Sequence, residues 1–251
     1  MNKSALYDFD VTTVKQYNDY LYRVCTMGSV RKIGIEVDKQ LNYSPKNSVN
    51  DSKLSNNISR ARTTVQEYTL CNPWSYFVTL TIDPQKYDRY NLKEFHSAFA
   101  KFLHNTNRRR AKENKIKYLL IPELHQDGAW HMHGVLYGLL PSDLKKNKNG
   151  YLTWQKYNDR FGFMSIDAIK DVERVSSYIL KYINKDMEKS VIELGAHLYY
   201  SSKGLNKAET VFRGHAYLHC PYDYEHPDGY CKIKTFDTRK DNIMNYLELM
   251  E

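Results

Sequence analysis

The chain has 251 residues, 41% apolar and 26% charged, with 37 Lys and Arg against 29 Asp and Glu and a formal net charge of +8. That length buries a core without covalent staples. No apolar run is long enough for a membrane span, and MNKSALYDFDV shows no apolar stretch after its lysine, so neither a membrane protein nor a secretory signal is expected.

Four scattered cysteines, Cys25, Cys71, Cys220 and Cys231, form no CxxC pair, which predicts a reduced, cytoplasmic setting. The basic excess suits a polyanionic partner. The 22 tyrosines and 9 phenylalanines supply rings of the kind that hold unpaired bases by stacking, or simply an aromatic core.

Residues 1–50 carry weak patterning. YLYRVC (20–25) predicts a strand and NYSPKNSVNDS a polar linker, so an N-terminal extension is expected over 1–50, a catalytic domain over 51–205 and a C-terminal accessory region over 206–251. SKLSNNISRARTTVQEYTL has apolar residues at helical spacing and is closed by Asn72 and Pro73. YFVTLTI (76–82) is β-branched and aromatic and stops at Asp83 and Pro84, the pattern of a strand. LKEFHSAFAKFLHNTNRRRA predicts an amphipathic helix with Leu92, Phe95, Phe99 and Leu103 on one stripe. IKYLLIPELH and AWHMHGVLYGLL are two apolar strands separated by QDG, a strong hairpin signal. TWQKYNDRF reads as a short helix, GFMSIDAI as a strand, and DVERVSSYILKYINKDM (171–187) as a helix with Asp171 at its N-cap. The order β-α-β-β-α-β-α over 76–187 predicts an α+β fold, a central antiparallel sheet with flanking helices of the ferredoxin-like or RRM-like kind. No internal repeat and no P-loop interrupts it.

Alternate residues of a strand share a face, so His131 and His133 stand side by side while Met132 and Trp130 point the other way. The hairpin folds Glu123 back beside them. Two imidazoles and one carboxylate leave open positions on a metal ion, as catalysis requires. His125 shares the parity of Glu123 and competes as third ligand from a position closer to the turn. On the last helix Tyr178 and Tyr182 lie one turn apart on one face, each followed three residues later by a lysine, Lys181 and Lys185. A phenol must lose its proton to attack, and a nearby ammonium favours the phenolate and can hold phosphate oxygens.

YFVTLTIDP, IPELHQDGAWHMHGVLYG and SSYILKYINK, in that order, resemble the three motifs of HUH endonucleases. More specifically, they resemble the two-tyrosine rolling-circle replication initiators of plasmids and small single-stranded DNA phages. LYYSSKGLNKAETVFRG resembles a further segment of such initiators. The resemblance implies a metal-dependent, strand-specific DNA nicking and rejoining enzyme. Tyr178 and Tyr182 are then alternating nucleophiles assisted by Lys181 and Lys185, and His131, His133 and Glu123 hold Mn²⁺ or Mg²⁺. Two imidazoles favour Mn²⁺ over Mg²⁺ and would also hold Zn²⁺. Implied partners are single-stranded or hairpin origin DNA and a host helicase and polymerase, with no membrane. A transposase or relaxase with the same chemistry, or a non-catalytic RRM-like binder of single strands, are the alternatives.

DNA contacts are expected from Arg60 and Arg62, from Thr79 and Thr81 on the first core strand, and from Arg108, Arg109 and Arg110. The last three sit in NRRRAKENKIK, which carries six cations against one carboxylate. The cluster His215, His219, Cys220, His226 and Cys231 fits no common zinc-finger spacing and is expected to be an irregular accessory region.

Overall fold

A computed structural model of the chain describes residues 6–32, 51–183 and 197–250. In chain order the elements are β1 (Tyr7–Gln16), β2 (Leu21–Arg31), α1 (Asp51–Leu70), β3 (Tyr76–Thr81), α2 (Leu92–Asn107), β4 (Lys117–Leu124), β5 (Trp130–Tyr137), β6 (Lys145–Lys146) and β7 (Leu152–Thr153). There follow α3 (Gln155–Arg160), β8 (Met164–Ala168), α4 (Val172–Ile179), β9 (Tyr200–Ser201), β10 (Glu209–Gly214), β11 (Ala216–Leu218), β12 (Tyr224–Glu225), β13 (Cys231–Asp237) and β14 (Leu247–Leu249). They fall into two compact units, Val49–Asn206 and a second made of Met1–Ser48 with Lys207–Glu251.

The unit formed from the chain ends is an antiparallel sheet in the order β10-β1-β2-β13-β12, with the β11-β14 pair beside it. Val14, Val24, Phe236 and Ile243 form its small core. The weakly patterned residues 7–16 are thus a strand, and the N-terminal and C-terminal segments share one sheet. The pattern was faint because YDFDVTTVKQ buries only Val11, Thr12 and Val14. The stretch 33–50, which holds most of the expected linker, lies outside the described residues.

The central unit is α+β. Its sheet runs β6-β7-β8-β3-β5-β4-β9, antiparallel in every pairing. Strand alternation gives it two unlike faces. Val78, Leu80, Met132 and Leu120 are fully buried on one, beneath α2 and α3. There Phe99 meets the rings of Tyr118, Tyr157 and Phe161. On the other, α4 brings Tyr178 against Phe77 of β3 and packs beside α1. Gly134 in β5 allows the close approach of β4, since a Cβ there would meet the Leu119 carbonyl oxygen at 2.0 Å.

Two helices end earlier than their sequences suggest. α2 stops at Asn107 because that side chain turns to β4, accepting from Ile116 N (2.8 Å) and donating to Ile116 O (2.9 Å). α4, capped at its start by Asp171 accepting from Arg174 N (3.0 Å), stops at Ile179 and tightens into a 3₁₀ turn over Leu180–Tyr182. Residues 184–187 of the expected helix lie outside the described residues. No described helix is long and apolar enough to cross a membrane.

Candidate active site

The β4–β5 hairpin builds the first half of the site. Its turn is closed by His125 N to Ala129 O (2.9 Å) and Gly128 N to His125 O (2.9 Å), with Gly128 at φ +80°. Asp127 accepts from Ala129 N within the turn and pairs with Arg89 at 3.0 Å. The resulting register sets Glu123 directly opposite His131, with Thr81 on the far side of His131 and Thr79 on the far side of His133. All five share one face of the sheet.

His133 is the best-held of these groups, only 9% exposed. Its Nε2 lies 2.6 Å from Glu123 Oε2 and its Nδ1 3.1 Å from Thr79 Oγ1. A carboxylate only accepts, so the neutral ring carries its proton on Nε2, and the Thr79 hydroxyl then donates to Nδ1. Burial lowers the pKa of His133 despite Glu123, which pulls the other way. Burial, aided by the neighbouring His125 and His133, also lowers that of His131. The His125 ring is stacked on His131 at 3.8 Å between centroids, and His125 Nε2 lies 3.7 Å from Glu123 Oε2.

The second half comes from α4 and its 3₁₀ extension. The Tyr182 ring stacks on His133, with centroids 4.3 Å apart and planes 8° from parallel. Its hydroxyl donates to Tyr178 Oη at 2.8 Å. Tyr178 is 44% exposed. The Tyr182 phenol is pushed well up in pKa, first by burial, then by the bond to Tyr178, and by the negative charges that Tyr178 and Glu123 can carry. Its deprotonation therefore needs compensating positive charge. Lys181 Nζ lies 5.8 Å from the Tyr178 ring centroid; Lys185 lies outside the described residues.

The donor types fit a divalent cation: two imidazoles and a carboxylate on one face, with a third imidazole alongside. Yet among the described residues no three such groups are drawn together as a metal-holding set. Glu123 and His133 are hydrogen-bonded to each other instead. To ligate through Nε2, His133 would move its proton to Nδ1, where Thr79 Oγ1 can accept it.

The remaining candidates divide. Arg62 does not point into open solvent for DNA; its Nη1 donates to Leu180 O and Ile183 O, both at 2.7 Å, and so pins the end of the tyrosine helix. Arg60 is exposed on α1. Arg110 is committed to an ion pair with Asp143 and to the carbonyls of Asn114 (3.0 Å) and Gly138 (2.7 Å). Arg108 and Arg109 follow α2, on the face of the sheet away from the histidines. Sequence reasoning missed Phe77, which supports Tyr178 at 5.4 Å, although its parity with Thr79 put it on the right face. It also missed Phe163, half exposed where Thr81 N bonds Phe163 O at the edge of the same face. In the other unit, His219 pairs with Glu248 and His226 with Asp228.

Residues 75–187 match the family model of the replication-associated protein ORF2. The matched stretch runs from β3 through the hairpin and the tyrosine pair, and it supports a replication-associated protein of the Rep type. No curated protein and no solved structure matches the chain.

Proposed function

We propose that the central unit is a rolling-circle replication initiator that nicks and rejoins single-stranded origin DNA through a 5′-phosphotyrosine. What carries this is the pair of phenolic oxygens 2.8 Å apart, one ring of which is stacked on an imidazole that is bonded to a carboxylate. The attacking tyrosine oxygen forms a bond to phosphorus in line as the bond from phosphorus to the 3′-oxygen breaks, and that oxygen leaves as a 3′-hydroxyl after taking a proton. The hydroxyl primes a host polymerase behind a host helicase. A phenolate is a good leaving group from phosphorus, so the linkage stays reactive without ATP. The second tyrosine then cuts the regenerated site while the released 3′-hydroxyl attacks the first adduct and closes a circle.

The chain's own groups support these steps. Tyr182 Oη donates toward Tyr178 Oη, so a phenolate formed on Tyr178 keeps a hydrogen bond as it develops charge. Thr79 fixes the ring of His133, and Arg62 holds the turn that carries Tyr182. His131, His133 and Glu123 are the side chains that would hold Mn²⁺ or Mg²⁺, with His125 next to the carboxylate; such an ion supplies Lewis-acid polarisation of the scissile phosphate.

The test is covalent capture. The protein is incubated with labelled single-stranded origin fragments and Mn²⁺ and run on a denaturing gel. The wild type should give a shifted band that EDTA removes and fresh Mn²⁺ restores. Tyr178→Phe combined with Tyr182→Phe should give none while still binding the DNA. An adduct of wild-type yield from the double variant would refute the assignment. DNA binding by wild type with no adduct under any divalent ion would point instead to a non-catalytic single-strand binder.

A further inference from the structure

The central unit carries a second charged feature, behind the sheet. A cleft of about 780 Å³ opens between the C-terminal end of α2 and α3, lined by Arg108, Arg109, Arg110, Lys156, Arg160 and Phe102 among others, with no carboxylate in its wall. Arg110 is neutralised by Asp143 and belongs to the scaffold. Among the described residues none of the other four cations is ion-paired. Basic side chains at a helix C-terminus are ordinary partners of the helix dipole, which accounts for Arg108 and Arg109. It does not account for Lys156, which sits in the first turn of α3 and faces the same space.

The walls say what such a site would read. Bases of single strands are held on open aromatic faces. Phe102, the one ring in the lining, is covered: the Arg160 guanidinium lies 6.0 Å from its centroid, and Trp154 and Phe161 pack against it at 5.3 and 5.4 Å. No ring is left for a base. Four cations spread over two elements also exceed what one phosphate requires, whereas a duplex presents phosphates in series.

We propose that this cleft is a second nucleic-acid site, which grips the phosphate backbone of duplex DNA without reading its bases. It lies across the sheet from the tyrosines and does not depend on their chemistry. In the full-length protein, Arg108→Gln, Arg109→Gln and Lys156→Gln are combined, and an unchanged melting temperature confirms the fold. Binding of a fluorescent duplex is then titrated from 50 to 200 mM salt. The slope of log K against log salt should flatten by about 2 to 3 relative to wild type, at about 0.9 for each phosphate no longer neutralised. Affinity at 100 mM salt should fall at least about tenfold, equally for two unrelated sequences. Tyr178→Phe with Tyr182→Phe should keep the wild-type slope, which separates this site from the nicking site. An unchanged slope in the triple variant would overturn the proposal, as would a loss confined to one sequence or an equal loss on oligo-dT. Complete suppression of the cleft's contribution by millimolar inorganic phosphate would also overturn it, because a single anion would then be the ligand.

Discussion

The two faces of the central sheet are made by the same strands and do opposite work. β3 and β5 place Val78, Leu80 and Met132 on one side, fully buried under the rings of α2 and α3. On the other they place Thr79, Thr81, His131 and His133. One face is saturated with packing; the other spends its positions on groups whose partners are polar and specific. Stability and chemistry are therefore separable in this unit, and substitutions on one face should leave the other's property largely alone.

The largest test of that separation is Phe99→Ala. Phe99 is fully buried among aromatic rings, and its loss should cost about 3–5 kcal/mol, read by urea unfolding, with nicking intact at temperatures where the protein stays folded. Smaller, and crossing the divide, is Arg62→Ala, which removes two charge-assisted bonds to carbonyls. It should cost about 2 kcal/mol and lower kcat for adduct formation with little change in KM, since the DNA itself is not contacted. Arg62→Lys should recover part of both, because an ammonium lacks the planar fork. A change in KM alone would make Arg62 a DNA contact after all.

Next comes pH. His96 of α2 is stacked on Tyr200 at 3.9 Å, bonded to Tyr118 Oη at 3.2 Å, and burial, with a further contribution from His197, lowers its pKa to about 4. Unfolded, the ring titrates near 6.5, so between 6.5 and 4 the unfolded chain binds the extra proton. Its contribution is whole above pH 6.5 and is lost as pH falls toward 4, about 1–2 kcal/mol once partial exposure is allowed for. His96→Phe should flatten the melting temperature across that window; an equally steep fall would place the acid sensitivity elsewhere. The smallest effect belongs to Ser176, buried on α4 with no hydrogen-bond partner for its hydroxyl among the described residues. Ser176→Ala should stabilise by up to about 1 kcal/mol.

Where physics was local, the sequence was legible. The order of elements from β3 to α4 followed from periodicity, and the face shared by His131, His133 and Glu123 followed from strand parity and one Asp-Gly turn. What escaped depended on partners far along the chain. Arg62 reads as a free cation until α4 is laid beside α1, and Arg110 until Asp143 arrives from 33 residues on. β1 looked featureless because its ladder is completed by β10, and β2's by β13. The bond between Glu123 and His133 could not be foreseen either, for parity fixes a shared face and not a rotamer.

That distant pairing carries a cost in time. β2 leaves the ribosome about 200 residues ahead of β13, the strand it must lie against. At roughly 5–20 residues per second, it waits on the order of 10–40 s with one edge unpaired. Every pairing of the histidine-bearing sheet is complete once Ser201 has emerged, so the chain finishes its middle before it can join its ends.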